Sequence, residues 1–233
     1  MEAETLDLPE LARYLNRDVR DLEKLAAKGQ LPGRRVGGRW TVRRAEVHHW
    51  LERKVPGYDE QELSHMELAL SPDSADDGLV VTPLLARQRI SLTLNGRTAP
   101  GVLKDLVELA NADWHVYDPE RILADVRDRE ASGSTAMAGG VAVPHPRRRM
   151  RDLLSESVVA IGRAPGGVPF GGPDGRLTDL FFLVLAQDDV THLRILARLA
   201  RLFLREGLLD RLRAVESRRD LIQIIRDSER EAV

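Results

Sequence analysis

The stretch Gly139-Gly140-Val141-Ala142-Val143-Pro144-His145-Pro146, with Arg147, Arg148 and Arg149 behind it, decides how this chain is read. Val141-Ala142-Val143 reads as a short alternating strand. Each proline pushes the residue before it towards extended backbone, so Val143 and His145 are both held straight. His145 is therefore expected at a strand tip, between stiff neighbours, with small residues before it and arginines after. Just upstream, a helical segment ends near Arg129-Glu130, and a Gly/Ser/Ala-rich run carries Ser134 and Thr135. An imidazole near neutral pH is a competent nucleophile towards phosphorus, and guanidinium groups neutralise a phosphoryl group. The same spacing also fits a histidine without chemistry, buried or exposed at a strand end.

Outward from that stretch, residues 82–233 alternate strands with helices. Ile90 to Leu94 alternates as a strand, Thr98 and Pro100 open a helix, and Asp118-Pro119 opens another. Ser157 to Ile161 and Leu180 to Leu185 read as buried strands, separated by a Gly/Pro-rich loop from Gly162 to Gly175. Thr191 is expected to cap a long helix stopped by Gly207, and Ser217 to cap a final one. The fold class is α/β, in layers.

Gly140-Val141-Ala142-Val143-Pro144-His145 resembles the G-[IV]-A-[IV]-P-H signature of the fructose/mannitol (nitrogen-regulatory) type enzyme IIA domains of the bacterial phosphotransferase system. Arg129-Glu130 followed by Ser134-Thr135, and Thr191-His192-Leu193 opening a helix, are similar to that family too. The resemblance spans roughly residues 82–228 and implies a mixed sheet flanked by helices on both faces. It implies that His145 accepts a phosphoryl group from the histidine phosphocarrier protein. His192, in the first turn of its helix, would hydrogen-bond the phosphoryl oxygens. Arg129, sixteen residues before His145, would stabilise charge in transfer. Ser134 and Thr135 would shape the approach loop. The family usually has a small residue after the active histidine; Pro146 stands there here, which removes a backbone N–H. Arg147 to Arg149 either dock an acidic donor or lie on the surface.

Residues 1–55 form a first unit. Thr5 is expected to cap a helix through Leu8 to Leu15, with Asn16 as a turn. A second helix carries Val19, Leu22, Leu25 and Ala26 and ends at Lys28-Gly29. A glycine-paired hairpin follows from Arg34 to Val42, then a third helix bears Val47, Trp50 and Leu51. Leu11-Ala12-x-Tyr14-Leu15, Gly29-x-Leu31-Pro32, Val36-Gly37-Gly38-Arg39-Trp40 and Trp50-Leu51 resemble the excisionase/MerR-like winged helix-turn-helix family. That resemblance implies DNA binding, with the second helix in the major groove and the hairpin on the backbone. Arg34, Arg35, Arg39, Arg43 and Arg44, with no acid among them, suit phosphate contacts. Asp18, Asp21 and Glu23 on the second helix run against it, which leaves a protein-contact module as the other reading.

Residues 56–81 read as an acidic linker with one short helix around Glu60 to Leu70, a negative tether able to compete with DNA for the hairpin. The chain has 233 residues, no cysteine and a net charge of −2. A disulfide framework and a thiolate metal site are excluded, and so is a chain-wide polycation. No apolar run is long enough to span a membrane, and the acidic start lacks the order of a signal peptide, so a cytoplasmic protein is expected. No cofactor and no metal are expected. His48 and His49 are adjacent, and no carboxylate joins His145 and His192 in sequence.

Together these point to a phosphorylation-responsive regulator: a phosphohistidine carrier rather than a multiple-turnover enzyme, coupled to a DNA-binding head. Half-site reading by such heads calls for a homodimer. Two other readings stay open. One is a phosphocarrier serving a separate IIB or regulatory partner, with the head binding protein. The other is a defunct IIA-like binding module.

Overall fold

The chain opens with β1 (Thr5–Asp7), α1 (Leu8–Leu15) and α2 (Val19–Ala27), continues into β2 (Arg34–Val36) and β3 (Arg39–Arg43), and closes its first unit with α3 (Arg44–Lys54). The computed structural model describes residues 5–15, 17–70 and 78–232. The turn expected at Asn16 and the Ser71-Pro72-Asp73-Ser74 punctuation lie outside them. Thr5 does not cap α1. It starts a strand, and Asp7 makes the cap: Glu10 N–H donates to Asp7 Oδ1 (2.8 Å) while Glu10 Oε2 accepts from Asp7 N–H (2.9 Å). The hairpin turns on Gly37 and Gly38, both at positive φ (58° and 82°), the requirement of a two-residue turn between twisted strands. The order β1-β3-β2 makes a three-stranded antiparallel wing sheet.

The acids of α2 have local employment. Asp18 is the N-cap and accepts from Arg20 N–H (2.7 Å), and Asp21 pairs with Lys24 (2.9 Å). Both serve the helix itself, while Glu23 stays exposed on it.

A 3-10 turn (Val55–Gly57) leads to α4 (Glu60–Ala69), which begins with a capping box between Asp59 and Glu62. Next come β4 (Ile90–Ser91), α5 (Ala99–Ala110), α6 (Pro119–Ala131), β5 (Ala136–Met137), β6 (Val141–Ala142), β7 (Val158–Val168), β8 (Thr178–Leu185), α7 (Asp189–Phe203), α8 (Leu208–Ala214) and α9 (Arg218–Arg230). The five-stranded sheet has the order β4-β7-β8-β6-β5. The β4/β7 and β6/β8 pairs are parallel, and β7/β8 and β5/β6 antiparallel. Side-chain alternation divides its two faces. Phe181, Leu183 and Leu185 face the layer of α5 and α6, whereas Leu180, Phe182 and Val184 face α7 and the closing helices.

Four boundaries differ from the sequence reading. β4 is two residues long; beyond it Leu94 N–H still donates to Arg163 O on β7 (2.7 Å), and its side chain covers Gly162, where a Cβ would meet it at 2.6 Å. β7 runs past Ile161 to Val168, absorbing half of the expected loop. Asp188, not Thr191, caps α7: Thr191 N–H and Oγ1–H donate to Asp188 (2.9 and 2.7 Å). That helix ends at Phe203, and Gly207 instead starts α8 at φ 72°. Thr98, Asp118 and Ser217 do cap α5, α6 and α9.

The two units share one apolar core. Leu11, Leu22, Val47 and Leu51 of the head, Leu63 and Met66 of α4, and Leu193, Leu196 and Ala200 of α7 form a continuous buried cluster. α4 lies on α7, and its buried Glu67 accepts from Arg198 Nε–H and Nη2–H (2.9 and 2.8 Å). Glu62 reaches Arg17 at 3.8 Å. At the far end, buried Glu229 on α9 accepts from Val80 N–H, Val81 N–H, Thr82 N–H (each 2.8 Å) and Thr82 Oγ1–H (2.6 Å).

Candidate functional site

Gly140 sets the geometry of the central stretch. It sits at φ 76°, and a Cβ there would meet Leu177 O at 3.0 Å and Arg213 at 3.1 Å, so only glycine fits the entry to β6. The strand then lies between β8 and the loop after α6: Val143 N–H donates to Thr135 O (3.1 Å) and Pro144 O accepts from Val184 N–H (2.9 Å). Pro146 adds no donor, and the chain leaves the sheet. His145 emerges with Nδ1 2.8 Å from Val143 O. A carbonyl only accepts, so Nδ1 carries the proton and the lone pair lies on Nε2.

His192 enters from the first turn of α7, its ring centroid 4.8 Å from that of His145 and edge-on to it. Arg129, buried at the end of α6, donates to Gly133 O (3.0 Å), and its Nε has no hydrogen-bond partner among the described residues. Arg129, Ser134, Thr135, Arg147 and His145 line one cavity of 530 Å³. Thr135 holds Glu130 (Oγ1 to Oε2, 2.6 Å), while Ser134 Oγ donates to Phe170 O and accepts from Ala136 N–H (3.0 Å). Four of the five residues singled out in sequence thus line one cavity, and His192, which does not line it, packs against the His145 ring.

His145 is not displayed at an open strand tip, as its sequence surroundings predict: only 4% of it is exposed. The head covers it. Glu52, on the last turn of α3, is itself buried and places Oε1 3.0 Å from His192 Nε2 and Oε2 4.0 Å from His145 Nε2. Arg149 clasps the Glu52 carboxylate with Nη2 and reaches Asp189 with Nε (2.8 Å). Asp189 in turn lies 3.0 Å from His48 Nδ1, and His48 Nε2 is 2.6 Å from the Tyr14 hydroxyl. Arg149 is therefore neither a docking nor a surface arginine; it ties head to sensor. Sequence reading missed Glu52, His48 and Asp189. The one available signal was that His48 and Glu52 stand four apart, on the same helix side as buried Leu51.

The charges follow from burial and pairing. Burial, with His192 and Arg129 adding to it, pushes the His145 pKa well below the usual histidine value. Burial and the Arg149 charge bring His192 down to about 4, with Glu52 opposing. Burial works against ionising Glu52, yet His192, His145 and Arg149 hold its carboxyl well below the usual range. Both rings are neutral at pH 7 and Glu52 is ionised. Glu52, His145 and His192 bring ligand-type atoms within 4.8 Å of one another. Arg149 already balances that carboxylate, so the cluster does not need a metal to offset its charge.

These lowered pKa values fix an acid response. A group with a depressed folded pKa contributes stability above its unfolded pKa and loses it as pH falls through the folded one. His192, falling from 6.5 to about 4, costs roughly 3 kcal/mol across that window, and Glu52 adds to the loss below pH 4.5. Urea unfolding at pH 7.5 and pH 5 is expected to show the drop, and His192→Gln to reduce it without abolishing it, since buried His145 shares the depression.

On the head, Arg34, Arg35, Arg39 and Arg43 are exposed along the wing, and Arg35 lies over the Trp40 ring (6.0 Å). Arg44 is different: half-buried, it stacks 4.8 Å from the Tyr14 ring. The wing arginines Arg34, Arg35, Arg39 and Arg43 stay exposed with the head packed on the second unit.

A match to the family described as "Phosphoenolpyruvate-dependent sugar phosphotransferase system, EIIA 2" covers residues 83–228, more than half of the chain. The chain belongs to that family. A second match, to a helix-turn-helix domain family, covers residues 5–55. The EIIA-type region is 30% identical over 156 residues to the nitrogen regulatory protein of Escherichia coli K12, covering 66% of this chain and 94% of that protein. It is 28% identical over 147 residues to the fructose-specific EIIABC component of Bacillus subtilis, covering 62% of this chain but only 23% of that much longer protein. The IIA-Ntr protein of Neisseria meningitidis superposes with a TM-score of 0.57 at 24% identity, over 62% of this chain and 97% of that one, a likeness of fold. Among the described residues no helix is long and apolar enough to cross a membrane.

Proposed function

We propose that this EIIA-type chain is a phosphohistidine carrier that couples the phosphoryl state of His145 to DNA binding by its helix-turn-helix head. The observation carrying it is the tautomer of His145, whose Nδ1–H is committed to Val143 O so that Nε2 is the free nucleophile. In transfer, the Nε2 lone pair forms a new N–P bond as the N–P bond of the donor's phosphohistidine breaks. The donor ring keeps the electrons of the broken bond, and no net proton moves. His192 and the unfilled Nε–H of Arg129 stand ready for the phosphoryl oxygens. The donor is the histidine phosphocarrier protein. Incubation with phosphoenolpyruvate, enzyme I and that phosphocarrier should place one acid-labile, alkali-stable phosphoryl group on the chain; no incorporation overturns the reading.

DNA is the proposed partner of the head, with the exposed wing arginines on phosphates and a homodimer reading two half-sites. Arg35→Ala and Arg39→Ala are each expected to weaken binding evenly across sequences and to lower the log–log salt slope by about 0.9. Unchanged salt slopes would favour the head as a protein-binding module. Onward transfer to a IIB partner is the second reading, prompted by the A, B and C components joined in the name of the B. subtilis relative.

A further inference from the structure

We infer that Glu52 occupies the place a phosphoryl group on His145 would take, so that the head and the phosphoryl group are mutually exclusive occupants of one site. The inference rests on the phosphocarrier reading and adds to it the means by which the head senses the sensor.

The Glu52 carboxylate has the surroundings of a bound phosphoryl group. It is anionic, it touches His192 (3.0 Å) and the Arg149 guanidinium, and it faces the nucleophilic Nε2 of His145 at 4.0 Å. That gap cannot hold a phosphorus atom and its oxygens. A phosphoryl group bonded to Nε2 would overlap Oε2 and set a second anion against the buried Glu52 carboxylate. His145 and His192 are too deeply covered to meet a protein donor while α3 is in place. Transfer therefore requires α3 to leave, and a phosphorylated His145 prevents its return.

The boundary of the moving part is visible in the contacts. On the head side are Glu52, His48 and Tyr14; on the sensor side are His192, Arg149 and Asp189. α4 belongs with the sensor, fixed by Glu67 to Arg198. The covalent junction between them is the Val55–Gly57 turn, where Gly57 has no atom within 4 Å of its Cβ direction. Once released, Arg149 and His192 lose Glu52 and gain the phosphoryl oxygens, so each ends with an anion in either state. The wing arginines are already exposed, so the wing is not itself uncovered. What changes is the freedom of the head relative to its sensor.

The experiment uses the full chain and the phosphorylated histidine phosphocarrier protein as donor, in wild type, Glu52→Ala and Glu52→Gln, with initial rates of label uptake and hydrogen exchange of α3 amides before and after labelling. Expected are at least a tenfold faster uptake by Glu52→Ala, a smaller gain by Glu52→Gln, and faster exchange across residues 47–54 in the labelled wild type. Label on all three at equal rates, with α3 exchange unchanged by labelling, overturns the inference and leaves the carrier reading standing. Wild type and Glu52→Ala both refusing label overturns the carrier reading, and the inference falls with it. The small donor phosphoramidate adds a check: a faster Glu52→Ala reaction there too is expected if Glu52 fills the acceptor position, whereas an advantage confined to the protein donor would reduce Glu52 to a cover and overturn the shared-site inference.

Discussion

His145→Gln takes up no phosphoryl group: relative to wild type, labelling by the phosphocarrier falls by about 10³-fold or more. An amide has no nitrogen lone pair able to form a stable N–P bond, so the reaction loses its acceptor rather than a share of its rate. The substitution is chosen to spare the fold, because a glutamine amide can still donate to Val143 O as Nδ1 does. His192→Leu behaves differently. It keeps the nucleophile and removes a donor to the phosphoryl oxygens, so its uptake falls by about 10²-fold, the cost typical of losing one oxyanion donor. Rapid-quench labelling with both variants at one donor concentration separates the roles. Equal labelling by His145→Gln and wild type would place the acceptor elsewhere.

The second large effect concerns stability. Glu229→Ala is expected to cost about 3–5 kcal/mol, because four donors from Val80, Val81 and Thr82 converge on one buried carboxylate and would be left unsatisfied. Glu231→Ala, two residues on and exposed, removes only a surface pair with Arg205 (3.0 Å) and should change stability by less than about 1 kcal/mol. Urea unfolding of the two variants beside wild type is the measurement. A loss no larger for Glu229→Ala than for Glu231→Ala would show that water replaces the carboxylate without penalty.

Much of the sensor was legible because its signals are local. The caps at Thr98, Asp118 and Ser217 and the apolar runs of β7 and β8 need no tertiary knowledge. His145, His192 and Arg129 could be brought together only through resemblance, since 47 residues separate the two histidines and no periodicity links them. Boundaries failed where a competing side chain won. Asp188 outcompeted Thr191 as a cap, since a carboxylate accepts from both the Thr191 amide and its hydroxyl. Glu52 was illegible for a different reason. On its own helix it is an ordinary acid beside Arg53 and Lys54, and its burial is created by α7 and Arg149, 97 residues and more away. The same distance hid Arg149, which looks like one of three surface arginines until Glu52 and Asp189 claim it. The expected acidic tether likewise looked solvent-bound. The helix expected around Glu60 to Leu70 is present over 60–69, but its Glu67 accepts from Arg198 of α7, which sequence alone does not show.

The unbroken oily seam from Leu11 through Leu63 to Leu196 has a practical consequence for anyone dividing the gene. A fragment begun near residue 82 would lose α4 and bare a greasy strip along α7, while one stopped at residue 55 would keep the wing but lose the floor beneath Leu51. Each half relies on the other to cover apolar surface. Heating the whole protein should therefore give a single cooperative melt, with each fragment melting lower than its counterpart does inside the intact chain.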